Sequence, residues 1–138
     1  MMKIRHLTTY LLVVAALSGC ALRPSEREMN YLASALTKLS AAVDATARYG
    51  QLPAAATGAD LLAASTAEDP ALVAPFAGYT IRVQQLGRFS AVLICDRQGA
   101  TALLEDAGCT AKLDEHRWSA PSPQRCEFTL NLNAVCAR

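Results

Sequence analysis

The chain has 138 residues, of which 52% are hydrophobic, and its 13 basic and 12 acidic residues leave it close to neutral. This length suits one domain with a modest core. No run of Lys or Arg provides a basic face for phosphates, so nucleic acid is not an expected partner.

The amino terminus has the organisation of an export signal. Its first six residues include Lys3 and Arg5, and residues 7–17 form an uncharged, mostly apolar run. A helix needs about 20 apolar residues to cross a bilayer. Because this run has only 11 residues, a signal peptide that is removed is favoured over a transmembrane helix.

The segment Leu17-Ser18-Gly19-Cys20 ends the apolar run with a leucine, two small residues and a cysteine. This pattern resembles the lipobox of bacterial lipoprotein precursors. The resemblance implies that residues 1–19 are removed, that Cys20 is acylated, and that residues 20–24 tether the protein to a membrane. Ala21 stands where the family's inner-membrane retention signal usually has Asp, so the resemblance implies an outer-membrane location facing the periplasm.

Residues 25–49 are predicted to form an amphipathic helix. Ser25 and Glu28 have the spacing of a capping box, and Gly50 and Pro53 provide a stop. Apolar residues recur every three or four positions and form one seam: Met29, Leu32, Leu36, Leu39 and Val43. This apolar seam is expected to cover the protein's own sheet. The alternative is that it docks a partner at the membrane, with Leu36 as the candidate contact.

Residues 50–77 are rich in Ala and interrupted by Pro and Gly, which is typical of a linker that contains short helices. Residues 60–65 are one candidate helix. Asp69-Pro70 supplies a cap and a first helical residue, so residues 71–76 are a second candidate.

Residues 78–138 are predicted to form a disulfide-stapled, β-rich core. Residues 79–86 and 89–95 flank a tight turn and indicate a hairpin, and apolar–polar alternation over 126–132 indicates a third strand. Residues 100–107 suit a helix or a strand, and their propensity favours the helix. The expected fold is therefore α+β, with the amphipathic helix and short Ala-rich helices packed on a small antiparallel sheet.

Four cysteines remain beyond Cys20, and in an oxidising compartment they should form two disulfides; they are Cys95, Cys109, Cys126 and Cys136. A strand over 126–132 would separate Cys126 from Cys136 by more than the roughly 7 Å that a disulfide allows between Cα atoms. The preferred pairing is Cys109–Cys126 with Cys95–Cys136, and Cys95–Cys126 remains open as its rival. Oxidised thiols leave no cysteine nucleophile or zinc knuckle, so no metal or cofactor is expected.

The densest polar stretch is Asp114-Glu115-His116-Arg117-Trp118. Trp118 beside Arg117 would suit a surface that contacts a ring or a sugar, and the alternative is that Trp118 fills the core. His116 with nearby carboxylates would suit a hydrolase, but the chain has no glycine-rich phosphate loop, nucleophile elbow or zinc-protease motif. A paired-carboxylate hydrolase site is one interpretation of four carboxylates, and plain surface charge is the preferred one: Asp96, Glu105, Asp106 and Asp114.

The leading functional hypothesis is a membrane-anchored, non-enzymatic accessory or interaction subunit of a cell-envelope assembly, with an envelope protein as its partner. One alternative is a small binding module, or an inhibitor of a periplasmic enzyme, that holds its protein or glycan ligand with Trp118, His116 and Arg117. The other is a periplasmic hydrolase that uses His116 and nearby carboxylates. The sequence defines no oligomeric state.

Overall fold

The computed structural model describes residues 24–110 and 117–137, and the predicted signal peptide and Cys20 lie outside these ranges. The helices are α1 (Glu26–Tyr49), α2 (Gly58–Thr66) and α3 (Leu132–Cys136), and the strands are β1 (Thr80–Leu86), β2 (Phe89–Cys95), β3 (Thr101–Ala107) and β4 (Gln124–Arg125). Single 3-10 turns occupy Pro70–Leu72, Ala74–Phe76 and Arg117–Ser119. The α+β class is confirmed.

Helix α1 begins and ends where the sequence predicts. The Ser25 side chain caps it by accepting from the Glu28 backbone N–H at 3.2 Å. The Glu28 carboxylate does not complete a capping box, because it accepts a hydrogen bond from the Tyr79 hydroxyl instead. All five residues of the apolar seam are at most 1% exposed, so the seam lies in the main core, as its default interpretation requires.

The four strands form one antiparallel sheet in the order β1-β2-β3-β4. The predicted hairpin is confirmed: β1 and β2 pair along their whole lengths, and Gly87 in the turn has φ +59°, a conformation that glycine adopts without strain. Helix α1 covers one face of the sheet, and the segment from Cys126 to Cys136, called the covering segment, covers the other. Because both faces are covered, β2 and β3 are buried along almost their whole lengths.

The helix preferred for residues 100–107 is wrong, since these residues form β3. Strand β3 pairs with β2 along most of its length and with β4 at Thr101 and Ala102. A helix there would leave the inner edge of β2 without hydrogen-bond partners in the core, at a cost that exceeds a weak helical preference.

The third strand predicted over 126–132 is also wrong. Strand β4 ends at Arg125, and α3 begins at Leu132. The alternation in the sequence is real, because the apolar side chains of this segment pack on the sheet while its polar ones are exposed. The segment therefore covers the face of the sheet without joining it.

The two disulfides are Cys95–Cys126 and Cys109–Cys136, with Cα separations of 5.8 and 5.6 Å. The preferred pairing is therefore wrong, and the rival Cys95–Cys126 is the one formed. Ala102 explains it: this residue pairs with Cys95 on one side and with Gln124 on the other. The short β3–β4 ladder thus brings Cys126 to Cys95, and no sequence pattern predicted this ladder.

Residues 50–77 contribute to the core on the same side as α1. Helix α2 contains the predicted segment 60–65, whereas residues 70–76 form only two 3-10 turns. Leu61 and Phe76 are buried in the core with the apolar seam. Gly58 makes the approach of α2 possible, because a Cβ there would lie 1.9 Å from the carbonyl oxygen of Val83 on β1.

Candidate binding cleft

A cleft of about 700 Å³ opens where α1 begins. It lies between the N-terminal end of α1, the residues around the start of β1, the turn after β2, and the segment from Arg117 to Pro123. Among the residues that the structure describes, its charged and aromatic lining residues are Glu28, Tyr79, Asp96, Arg97, Arg117 and Trp118. Pro24 also lines the cleft, only four positions after Cys20 in the sequence.

Trp118 packs in the core, as one of its two alternatives predicts, while its contact with a ligand stays a prediction. It is partly buried and packs against the main core, and it also lines the cleft. The 3-10 turn Arg117–Ser119 and its contacts with β3 place it there. A large aromatic ring that packs on the core gives the cleft an apolar wall.

Tyr79 provides the second aromatic group of the cleft. Its hydroxyl donates a hydrogen bond to Oε1 of Glu28. Burial, followed by this hydrogen bond and by the negative charge of Glu28, raises the pKa of Tyr79 to about 12. The phenol therefore stays protonated at neutral pH and joins the start of α1 to the start of β1.

The carboxylate of Asp96 is engaged within its own turn. Its Oδ1 accepts from the backbone N–H groups of Ala100 at 2.8 Å and Thr101 at 3.2 Å. The backbone of the turn is closed by a bond from Gly99 N–H to the Asp96 carbonyl at 3.0 Å. Asp96 thus fixes the turn that connects β2 to β3.

Arg97 lies at the exposed corner of this turn and faces the cleft. Within the described part of the chain, its guanidinium forms no ion pair and no hydrogen bond. Gly78 provides the space beside it: a Cβ at that position would lie 3.2 Å from Nη2 of Arg97, and the φ of Gly78 is +88°. Arg97 is thus a positive charge in the cleft without a carboxylate partner among the described residues.

Arg117, a predicted contact residue, is buried, and its charge is paired inside the protein. It is 5% exposed and forms a buried ion pair with Glu105, with 3.4 Å between Nη1 and Oε2. Its guanidinium also donates to the carbonyl oxygens of Glu127 and Arg125 and to the side chain of Gln124. These bonds make Arg117 a support for the wall of the cleft.

The interpretation of Glu105 and Asp106 as surface charge is wrong. Glu105 has 0% exposure and Asp106 has 1%. Glu105 accepts from the backbone N–H groups of Thr129 and Leu130, both at 2.9 Å, and from the Thr129 hydroxyl at 2.8 Å. Asp106 accepts from the Ser40 hydroxyl on α1 at 2.5 Å. The two carboxylates therefore anchor opposite faces of β3.

The remaining predicted site residues divide into two groups. Leu36 has 0% exposure in the main core, so it offers no contact to a partner in this structure. His116 and Asp114 lie outside the described residues, as does Cys20, so the hydrolase hypothesis stays a prediction. Sequence reasoning missed Tyr79 and Arg97, which come from separate turns and carry no motif.

Over residues 24–110 and 117–137, no group of three or more His, Cys, Asp or Glu side chains is placed to hold a metal ion. None of the helices in those ranges is both long enough and apolar enough to cross a membrane. Comparison of the chain with protein-family models, curated proteins and solved structures finds no match.

Proposed function

We propose that this protein is an outer-membrane lipoprotein, anchored through acylated Cys20 and facing the periplasm. In this proposal it acts as a non-enzymatic interaction subunit and binds an envelope partner in the cleft. The position of Pro24 carries the proposal. An extended chain advances at most about 3.6 Å per residue, so the four positions from Cys20 to Pro24 would hold the cleft within roughly 14 Å of the lipid.

The cysteine chemistry supports an exported protein. The four cysteines of the domain are all paired, and disulfides persist in oxidising compartments such as the periplasm. The lipobox resemblance supplies the anchor, since several acyl chains on one cysteine would hold the protein stably at a membrane.

The hydrogen bonds and ion pairs of three charged groups that the structure describes in the cleft support binding over catalysis. Glu28 is held by Tyr79, Asp96 by two backbone amides, and Arg117 by Glu105. These hydrogen bonds hold the side chains of Glu28, Asp96 and Tyr79 in place, so they give the cleft a defined shape. A general acid or base requires a group whose pKa lies near the operating pH, and the raised pKa of Tyr79 is far above it.

Site-specific cross-linking in intact cells tests the proposal. Ser122 is exposed and lines the cleft, so a photo-crosslinking phenylalanine analogue at this position should capture the occupant. Tyr49 is the matched control, because it is 83% exposed and lies at the C-terminal end of α1, away from the cleft. Helix α1 has 24 residues and is therefore about 36 Å long.

We expect one discrete envelope-protein adduct from Ser122, none from Tyr49, and loss of the Ser122 adduct in Cys20→Ala. An adduct with a glycan would favour the alternative of a glycan-binding module with the Trp118 loop. Equal adducts from both positions, or none from Ser122, would contradict a specific interaction at the cleft.

A further inference from the structure

We infer that the Cys109–Cys136 disulfide is a site of thiol–disulfide exchange, and that its reduction by a dithiol releases α3 from the sheet. The Cys95–Cys126 disulfide, in contrast, is a permanent part of the fold. This inference depends neither on the cleft nor on its occupant.

The two disulfides differ in their access to solvent. Cys95 is 0% exposed and Cys126 is 5% exposed, whereas Cys109 and Cys136 are both partly exposed. Exchange begins when a thiolate attacks one sulfur of a disulfide, so its rate depends on access to that sulfur. The structure therefore favours attack on Cys109–Cys136.

The buried disulfide is also held by the backbone around it. Cys95 lies at the end of β2 and pairs with Ala102 of β3. The backbone N–H of Cys126 donates to the carbonyl oxygen of Ala100 at 3.0 Å, and the carbonyl oxygen of Cys126 accepts from Nη1 of Arg82 at 3.1 Å. A reductant would reach these sulfurs only after this part of the sheet had opened.

The covering segment has attachments that do not depend on Cys109–Cys136. The Cys95–Cys126 disulfide fixes its first residue. The carboxylate of Glu105 binds the backbone N–H groups of Thr129 and Leu130, both at 2.9 Å. Reduction of Cys109–Cys136 would leave these attachments in place, so the opening would be confined to α3.

Helix α3 has few attachments of its own. It comprises only five residues, and an isolated helix of this length is unstable in water. Its one buried residue, Leu132, packs with Ala91 and Ala107. The disulfide at Cys136 is therefore the main constraint that holds α3 on the sheet, and its reduction would uncover the two alanines.

The reaction is balanced by oxidation of the dithiol. A thiolate of the dithiol attacks one sulfur of Cys109–Cys136, the disulfide bond of the protein breaks, and a mixed disulfide forms. The second thiol of the reductant then displaces the sulfur of the protein and closes a disulfide within the reductant. Two electrons and two protons thus pass from the dithiol to the protein.

Dithiothreitol serves as the dithiol probe. The mature protein, purified from membranes in detergent, is treated with dithiothreitol without denaturant, and samples taken over time are alkylated and digested. Mass spectrometry then gives the alkylated fraction of each of the four cysteines. The same reaction in guanidinium chloride is the control, because unfolding removes the difference in burial between the two disulfides.

We expect Cys109 and Cys136 to be alkylated at least about tenfold faster than Cys95 and Cys126 in the folded protein, and all four at similar rates in guanidinium chloride. Hydrogen exchange of the selectively reduced protein should show loss of amide protection in α3 and unchanged protection in β2. The double variant Cys109→Ser/Cys136→Ser should show the same exchange pattern.

Equal alkylation of the two disulfides in the folded protein, faster alkylation of Cys95–Cys126, or no reduction without denaturant would each overturn the inference. Protection of α3 that survives the reduction would do so as well. If the serine variant does not fold, the reaction of the unmodified protein still decides.

Discussion

Glu105 and Arg117 form a buried ion pair that holds the covering segment on the sheet. The carboxylate binds the backbone of Thr129 and Leu130, and the guanidinium binds the carbonyl oxygens of Glu127 and Arg125. One pair thus satisfies polar groups at the end of β4 and in the extended segment after it, where the chain no longer pairs with the sheet. Because Trp118 follows Arg117 directly, the same pair fixes the wall of the cleft.

Replacement of Glu105 by Ala is expected to destabilise the protein by about 3–5 kcal/mol, because it leaves the Arg117 charge buried without its partner. Glu127→Gln is the control. Its ion pair with Arg125 is largely exposed and 3.7 Å long, and exposed pairs contribute little. Urea unfolding with intact disulfides measures both free energies. Similar small losses in the two variants would show that the buried pair is not the anchor described here.

Among the elements, α1 and the hairpin were predicted correctly from local signals, whereas the local alternation over 126–132 marks a buried face and not a strand. The seam of α1 repeats every three or four residues, and the hairpin has two strands that flank a tight turn, so neighbouring residues carry the whole pattern. Strand β3 is different, because Leu103, Leu104 and Glu105 are buried on both faces and show no alternation. Residues 101–107 form a strand because they lie between β2, β4 and the covering segment, and these elements come together only in the folded protein.

The contact between α2 and β1 depends on the absence of a side chain at one position. We expect Gly58→Ala to destabilise the protein by about 1–3 kcal/mol, the usual cost of overpacking, because its Cβ would lie 1.9 Å from a backbone oxygen of Val83. This cost exceeds the modest gain in helical propensity from Ala.

Gly87→Asn serves as the control for this variant. A Cβ at Gly87 meets nothing within 4 Å, and Asn tolerates the positive φ of the turn better than most residues. Thermal unfolding followed by circular dichroism compares the two variants. A stability of Gly58→Ala equal to that of the unmodified protein would mean that α2 does not pack on β1 at this distance.

In the whole molecule, the cleft is formed by residues that are distant in the sequence, and no sequence pattern predicted it. Glu28 and Tyr79 meet although 51 residues separate them, and Arg97 joins them from a third part of the chain. Trp118 could be singled out from the sequence because it is the chain's single tryptophan. Arg117 was expected at the surface because no sequence pattern indicates that a charge is buried.

The two ends of α1 lie at different parts of the molecule. The cleft and Pro24 lie at the N-terminal end, whereas the exposed Tyr49 lies at the C-terminal end. A lipid on Cys20 would therefore place the cleft towards the membrane and leave the other end of α1 farther from it. This arrangement suits a partner that itself sits at the membrane surface.

Lipid anchoring at Cys20 is tested by the mass of the amino-terminal peptide of the protein purified from membranes. We expect this peptide to begin at Cys20 and to carry the added mass of acyl chains, with residues 1–19 removed. A peptide that begins at Met1, or an unmodified Cys20, would contradict the anchor and with it the position of the cleft at the membrane.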